Sequence, residues 1–152
     1  MNENTCSSPI GLVDKNHIYI NEGEIIVKKR IFISFAIEDV RLRDLLVGQA
    51  RNDNSPFEFI DMSVKKPWDS EWKTNCKTKI KGCDGMIAII TKNTKKASGE
   101  LWEIKCAKEE GIPRIGIWGY SDDHLGTIPE DIKPIRIINW TWSNISKWLE
   151  QI

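Results

Sequence analysis

Two histidines and no closely paired cysteines leave this chain of 152 residues few ways to hold a metal ion. His17 and His124 are isolated, and Cys6, Cys76, Cys83 and Cys106 contain no CxxC spacing, so no metal site is expected and the thiols read as small, reduced, apolar residues. Excess charge of either sign is also missing. Basic and acidic side chains number 22 each, which removes the electrostatic case for nucleic acid or an anionic membrane as a partner. No apolar run is long enough to span a bilayer and the first residues lack a signal-peptide core, so the expected location is the cytoplasm. Neither GxGxxG nor GxxxxGK(S/T) occurs, which excludes the dinucleotide fingerprint and the P-loop. Two scattered histidines assemble no Ser-His-Asp or Cys-His set.

What is present is a steady alternation of apolar and amphipathic stretches, in a chain of one-domain length with 40% apolar and 29% charged residues. Residues 1–16 are polar and read as a loose leader. His17–Ile20 and Ile25–Val27 flank the turn-prone Asn21-Glu22-Gly23-Glu24 and predict a small hairpin within an N-terminal extension of residues 1–28. The main domain is expected over residues 29–152. Within it Arg30–Ala36, Phe57–Ile60, Gly85–Thr91, Ile112–Trp118 and Ile135–Ile138 predict five strands, and Asp39–Ala50, Ser70–Lys81, Ser98–Glu110 and Trp140–Glu150 predict four helices.

The inner side of the first helix is expected to carry Leu42, Leu45, Leu46 and Gln49 or Ala50, and that of the second Trp72, Cys76, Ile80 and Cys83. In the third, Ser98 is placed to cap the start and Gly111 to end it in the left-handed conformation. Ala97, Leu101, Ile104, Ala107 and the stem of Lys108 form its apolar stripe, with Glu103 roughly 100° around from the centre, looking along the sheet edge. Trp72, Trp118, Trp142 and Trp148 are assigned to packing.

Units of this size favour an α/β fold: a flavodoxin-like parallel sheet of five strands in the order 2-1-3-4-5, with helices on both faces. That order opens a crevice outside the carboxyl ends of the first and third strands. Phe35 and Ala36 reach it from one loop, Ser98, Gly99 and Glu103 from another, and Asp61–Trp68 from the loop beside them. A phospho-accepting receiver needs an acidic pair where S-F-A stands, and a flavin site needs a hydroxyl-rich and glycine-rich loop where I-E-D-V-R stands. One carboxylate, aromatic surface and hydroxyls remain.

Four segments carry a more specific likeness: K-R-I-F-I-S-F-A-I-E-D-V at Lys29–Val40, D-S-E-W-K at Asp69–Lys73, G-C-D-G-M-I-A-I-I-T at Gly82–Thr91 and S-G-E-L-W-E-I-K-C-A-K-E-E-G-I-P-R-I-G-I at Ser98–Ile117. In order and spacing they resemble the bacterial TIR-like family, most of all the TIR proteins of the Thoeris anti-phage defence system. The resemblance implies cleavage of the nicotinamide-ribose bond of NAD, with Glu103 at the position of the active-site glutamate and NAD as substrate, no further cofactor being needed. It further implies an ADP-ribose-derived, cyclic or conjugated messenger that switches on a separate effector protein, and a possible homo-oligomer. Ser34, Phe35, Asp61, Ser63 and Trp68 match candidate substrate contacts. Many catalytic members carry a tryptophan four residues before the glutamate; here Gly99 stands there, which leaves room for substrate, with Trp68 of the neighbouring loop supplying the stacking surface.

Two other classes share the architecture. One is a non-catalytic TIR module that signals by self-assembly. The other is a nucleoside deoxyribosyltransferase, which also sets a glutamate against a ribose.

Overall fold

Gly85–Ile90 contains no polar side chain and all six residues are buried, a pattern that only a strand covered on both faces permits. It is the middle strand of the parallel sheet. The computed structural model describes residues 17–52, 55, 57–60, 71–124 and 126–152. In chain order the elements are β1 (His17–Asn21), β2 (Glu24–Ser34), α1 (Val40–Asn52), β3 (Phe57–Ile60), α2 (Trp72–Lys81), β4 (Gly85–Ile90), α3 (Ser98–Glu109), β5 (Arg114–Trp118), β6 (Ile137–Ile138) and α4 (Trp142–Gln151).

The parallel strands lie in the order β3-β2-β4-β5-β6, which is 2-1-3-4-5 in order of appearance, as expected for a doubly wound flavodoxin-like sheet. Alternate side chains separate into two cores. Ile31, Ile33, Ile87, Ile89, Ile115 and Ile117 face α1 and α4, where they meet Leu42, Leu46, Ile145, Trp148 and Leu149. Phe32, Met86, Ala88 and Ile90 face α2 and α3, meeting Cys76, Ile80, Ile104 and Ala107. Burying apolar surface on both faces is what holds the layers together.

The N-terminal hairpin forms, and its second strand runs without a break into the sheet. β1 pairs antiparallel with residues 24–28 of β2, and from Lys29 onward β2 pairs with β3 and then β4. Its turn is Glu22-Gly23, with φ of 52° and 85°, the two left-handed residues that a tight type I′ connection requires. The leader at residues 1–16 lies outside the described residues.

Several expectations shift. Leu45 is 59% exposed and Gln49 is exposed, so the inner side of α1 is Leu42, Leu46 and Ala50, a narrower stripe than the leucine pattern suggested. The last strand contracts to two residues. Trp140, expected to open the final helix, precedes it and donates its indole N–H to Gln49 Oε1; the helix starts behind Thr141, whose hydroxyl accepts from the Asn144 amide. Among the described residues no helix is long and apolar enough to cross a membrane.

Candidate functional site

Helix α3 starts where β4 ends, and its buried face differs from the expected one. Glu100, Glu103, Ile104, Cys106 and Ala107 are buried, while Leu101 is half-buried and Lys108 exposed. The inward direction is therefore turned toward Glu103, which sits in the middle of the buried face instead of at its flank. The cause is tertiary. The helix packs against α2 on one side and the 3-10 turn Glu130–Ile132 on the other, and Lys108 reaches across to the Lys133 carbonyl at 2.7 Å. Ser98 is exposed and makes no cap; Ala97 holds the N-cap position without a side-chain hydrogen bond, so the first amides of α3 carry none from it. Gly111 ends the helix at a φ of 70°, as expected.

Glu103 has no solvent exposure, and its carboxylate lies beside the carboxyl end of β2. Ser34 Oγ donates to Glu103 Oε1 at 2.7 Å, and Cys76 Sγ approaches Oε2 at 3.7 Å. One helical turn earlier, Glu100 is also buried, at 1% exposure. Two carboxylates thus lie inside the protein on one helix face, at the edge where strand order reverses. Burying acidic groups is costly unless donors meet them, as the Ser34 hydroxyl meets Glu103.

Above these groups is a cleft of two lobes that share Trp72, Ser98 and Gly99. The inner lobe, about 300 Å³, runs from Phe35–Glu38 to Lys96 and Glu100. The outer, about 420 Å³, lies between α2 and α3 and takes in Lys73, Trp102, Lys105 and Asp131. Trp72 is the shared wall: its ring packs on Trp102 with centroids 5.2 Å apart, and a Cβ placed on Gly99 would lie 3.7 Å from Trp72 Cζ2. A large ring at position 99 would collide with it, so an aromatic from α2 occupies the space over Gly99. Trp72 is 6% exposed, and its indole N–H has no acceptor among the described residues.

A buried polar network ties together the two loops that flank the inner lobe. Asp39, 3% exposed, accepts from Thr91 Oγ1 at 2.5 Å and from Asn93 Nδ2 at 2.9 Å, while Thr94 Oγ1 accepts from the Thr91 amide at 3.0 Å. Charge-assisted bonds of this kind are short and strong. They hold the β2–α1 connection against the β4–α3 connection.

Of the residues singled out from sequence, Ser34 and Glu103 meet directly, Ser98 and Gly99 line both lobes, and Phe35 borders the inner one. The Phe35 side chain is wholly buried in the α1 core, with the Arg43 guanidinium 5.3 Å above its ring. Asp61, Ser63 and Trp68 lie outside the described residues. Glu100 and Trp72 were not anticipated as part of the cleft, nor the Asp39–Thr91–Asn93 network in the loops beside it. Glu100 falls between Gly99 and Glu103, at a three-residue spacing from the latter, and that spacing was the available signal.

No family model and no curated protein matches this chain. Solved structures similar to it include a prokaryotic SEFIR domain, at 16% identity over 82% of this chain and 89% of that one with a TM-score of 0.46. Another is the RPS4 and RRS1 TIR domain heterodimer, at 13% identity over 81% of this chain and 92% of that one with a TM-score of 0.48. The doubly wound architecture rests on the strand order itself.

Proposed function

We propose that this protein is a TIR-like enzyme that breaks the nicotinamide-ribose bond of NAD, with Glu103 as the carboxylate that steadies the ribose. The observation that carries this reading is the pair of carboxylates on one face of α3: Glu103, held by the Ser34 hydroxyl at the carboxyl end of β2, and one turn before it Glu100, which lines the cleft. In the reaction the C1′–N1 bond breaks and its electron pair goes to the pyridinium nitrogen, so nicotinamide departs neutral and needs no acid. The positive charge that grows on C1′ is what a nearby carboxylate stabilises, typically by orders of magnitude in rate. To meet the ribose, Glu103 must swing from Ser34 Oγ toward the cleft that Glu100 lines, where ribose hydroxyls replace that donor.

Attack on C1′ by water, with loss of a proton, yields ADP-ribose. Attack by a hydroxyl or ring nitrogen of the same molecule yields a cyclic isomer. With the resemblance of the four sequence segments to Thoeris TIR proteins, the proposal extends to a cyclic or conjugated ADP-ribose messenger acting on a separate effector in anti-phage defence.

A second reading is favoured by one feature of the same site. Glu103 has no exposed surface and does not itself line the cleft, which suits a structural carboxylate in a TIR module that signals by assembly. Incubating the purified chain with NAD and following nicotinamide by chromatography separates the two. Release that disappears in Glu103→Gln supports the enzyme. Concentration-dependent assembly with no release, from both the wild type and the variant, supports the module; base exchange on deoxynucleosides would point to the deoxyribosyltransferase class instead.

A further inference from the structure

Glu103 lines neither lobe of the cleft, although the NAD reading needs its carboxylate at a ribose. Contacts on both of its oxygens hold it back. Ser34 Oγ, at the end of β2, donates to Oε1 at 2.7 Å, and Cys76 Sγ, in the middle of α2, approaches Oε2 at 3.7 Å. Both donors are wholly buried, so a strand and a helix grip α3 from inside the protein. The two contacts differ in strength: a hydroxyl on a carboxylate makes a short, charge-assisted bond, whereas a thiol is a weak donor.

The Ser34 hydroxyl also has a second acceptor within reach. Its Oγ lies 3.5 Å from the main-chain carbonyl of Glu100, one turn earlier on the same helix. When Glu103 turns away, the O–H can rotate to that carbonyl, so the serine is not left as a buried donor without an acceptor, which would be the main penalty of parting. The thiol loses little. The same turn of α3 leads to the cleft, since Gly99 has no side chain and Glu100 lines the inner lobe.

We infer that Ser34 and Cys76 form an autoinhibitory clasp on Glu103: closed, it keeps the carboxylate inside the protein; open, it releases Glu103 toward the inner lobe. The inference rests on the NAD reading and adds the regulation of that site. A ligand shifts such an equilibrium only through contacts that favour one state, and a ribose supplies them by offering its hydroxyls to the released carboxylate. The clasp gives substitutions at its donors a distinctive sign. A bond made only in the closed state stabilises the resting fold and opposes turnover, so removing it lowers stability and raises activity together. A donor that served packing alone would lower both.

The test is carbodiimide labelling of the full chain with glycine ethyl ester, read by peptide mass spectrometry, beside nicotinamide release from NAD. Wild type is expected to label Glu103 slowly, because water does not reach it. Ser34→Ala should label it about tenfold faster and Cys76→Ala about threefold faster, following the strength of the bond removed. Cys76→Ser keeps a donor and should label no faster than wild type. Ile87→Val, in the opposite core, lowers stability without touching the clasp, and should leave Glu103 equally protected. In Cys76→Ala, kcat/KM for NAD should rise by the same factor as the labelling rate. Faster labelling in both alanine variants, in a protein that never cleaves NAD, upholds the clasp as the gate on Glu103 and removes the proposed chemistry. NAD cleavage that falls in Cys76→Ala overturns the clasp and leaves the chemistry standing. Labelling unchanged in both alanine variants, or raised as much by Ile87→Val, overturns the clasp as well.

Discussion

Ser34 and Glu103 are 69 residues apart in the chain and 2.7 Å apart in the fold, a hydroxyl donating to a carboxylate that water does not reach. The bond joins the end of β2 to the middle of α3. It ties the carboxylate to the reversal point of the sheet, so its two ends give the most direct handle on the site.

Removing the donor by Ser34→Ala leaves Glu103 Oε1 without its hydroxyl partner in a buried place. A loss of about 1–3 kcal/mol is expected, read as a lower denaturant midpoint with unchanged slope. Glu103→Gln keeps the volume and an acceptor for Ser34, so it should stay folded. NAD cleavage should fall by about a hundredfold or more in that variant; undiminished nicotinamide release would remove Glu103 from the chemistry.

Asp39→Ala removes the acceptor shared by Thr91 and Asn93. Two hydrogen bonds to a buried carboxylate disappear together, and a destabilisation of about 2–4 kcal/mol is expected. Amide hydrogen exchange offers a local check. Thr91 and Asn93 should lose protection well before the centre of β4 does, and uniform loss across the sheet would mean that the network does not act locally.

Gly119→Ala puts a methyl group 2.6 Å from Thr91 Cγ2 and 2.8 Å from Leu42 Cδ1. The leucine tip can rotate away. Thr91 cannot move freely, because its hydroxyl is bonded to Asp39. Overpacking of about 1–3 kcal/mol follows, visible as a lower melting temperature. Gly99→Ala, whose methyl group would lie at ordinary packing distance from Trp72, 3.7 Å, should melt close to wild type.

Burial pushes the Cys106 thiol pKa up, and the Glu110 carboxylate pushes it further. The folded protein therefore keeps this proton at a pH where the unfolded chain, titrating near its ordinary value of about 8.5, releases it. The resulting stability is fully present below that pH and is lost as pH rises through the folded value. Denaturant melts between about pH 7 and 10 should show the decline, and Cys106→Ala should flatten it. Iodoacetamide at neutral pH should modify Cys106 far more slowly than after unfolding.

The strands and the class of fold were legible in the sequence because Ile31–Ile33, Ile87–Ile89 and Ile115–Ile117 lie in apolar runs that fit nothing but strands covered on both sides. The hairpin was legible from the turn-prone Asn21-Glu22-Gly23-Glu24 between two β-branched runs, although the left-handed φ of Glu22 was not. Strand order followed from the number and spacing of the units. A linear pattern could not decide which way α3 faces: its neighbours α2 and the Glu130–Ile132 turn brought Glu100 and Glu103 inward, past the apolar stripe that its own periodicity suggested. Nor could it bring Trp72 over Gly99, since those residues sit on different helices and meet only through the way the helices pack. Local physics fixed the elements, because side-chain period and backbone conformation act within a few residues. The composition of the cleft was decided only when the helices settled against the sheet and against each other.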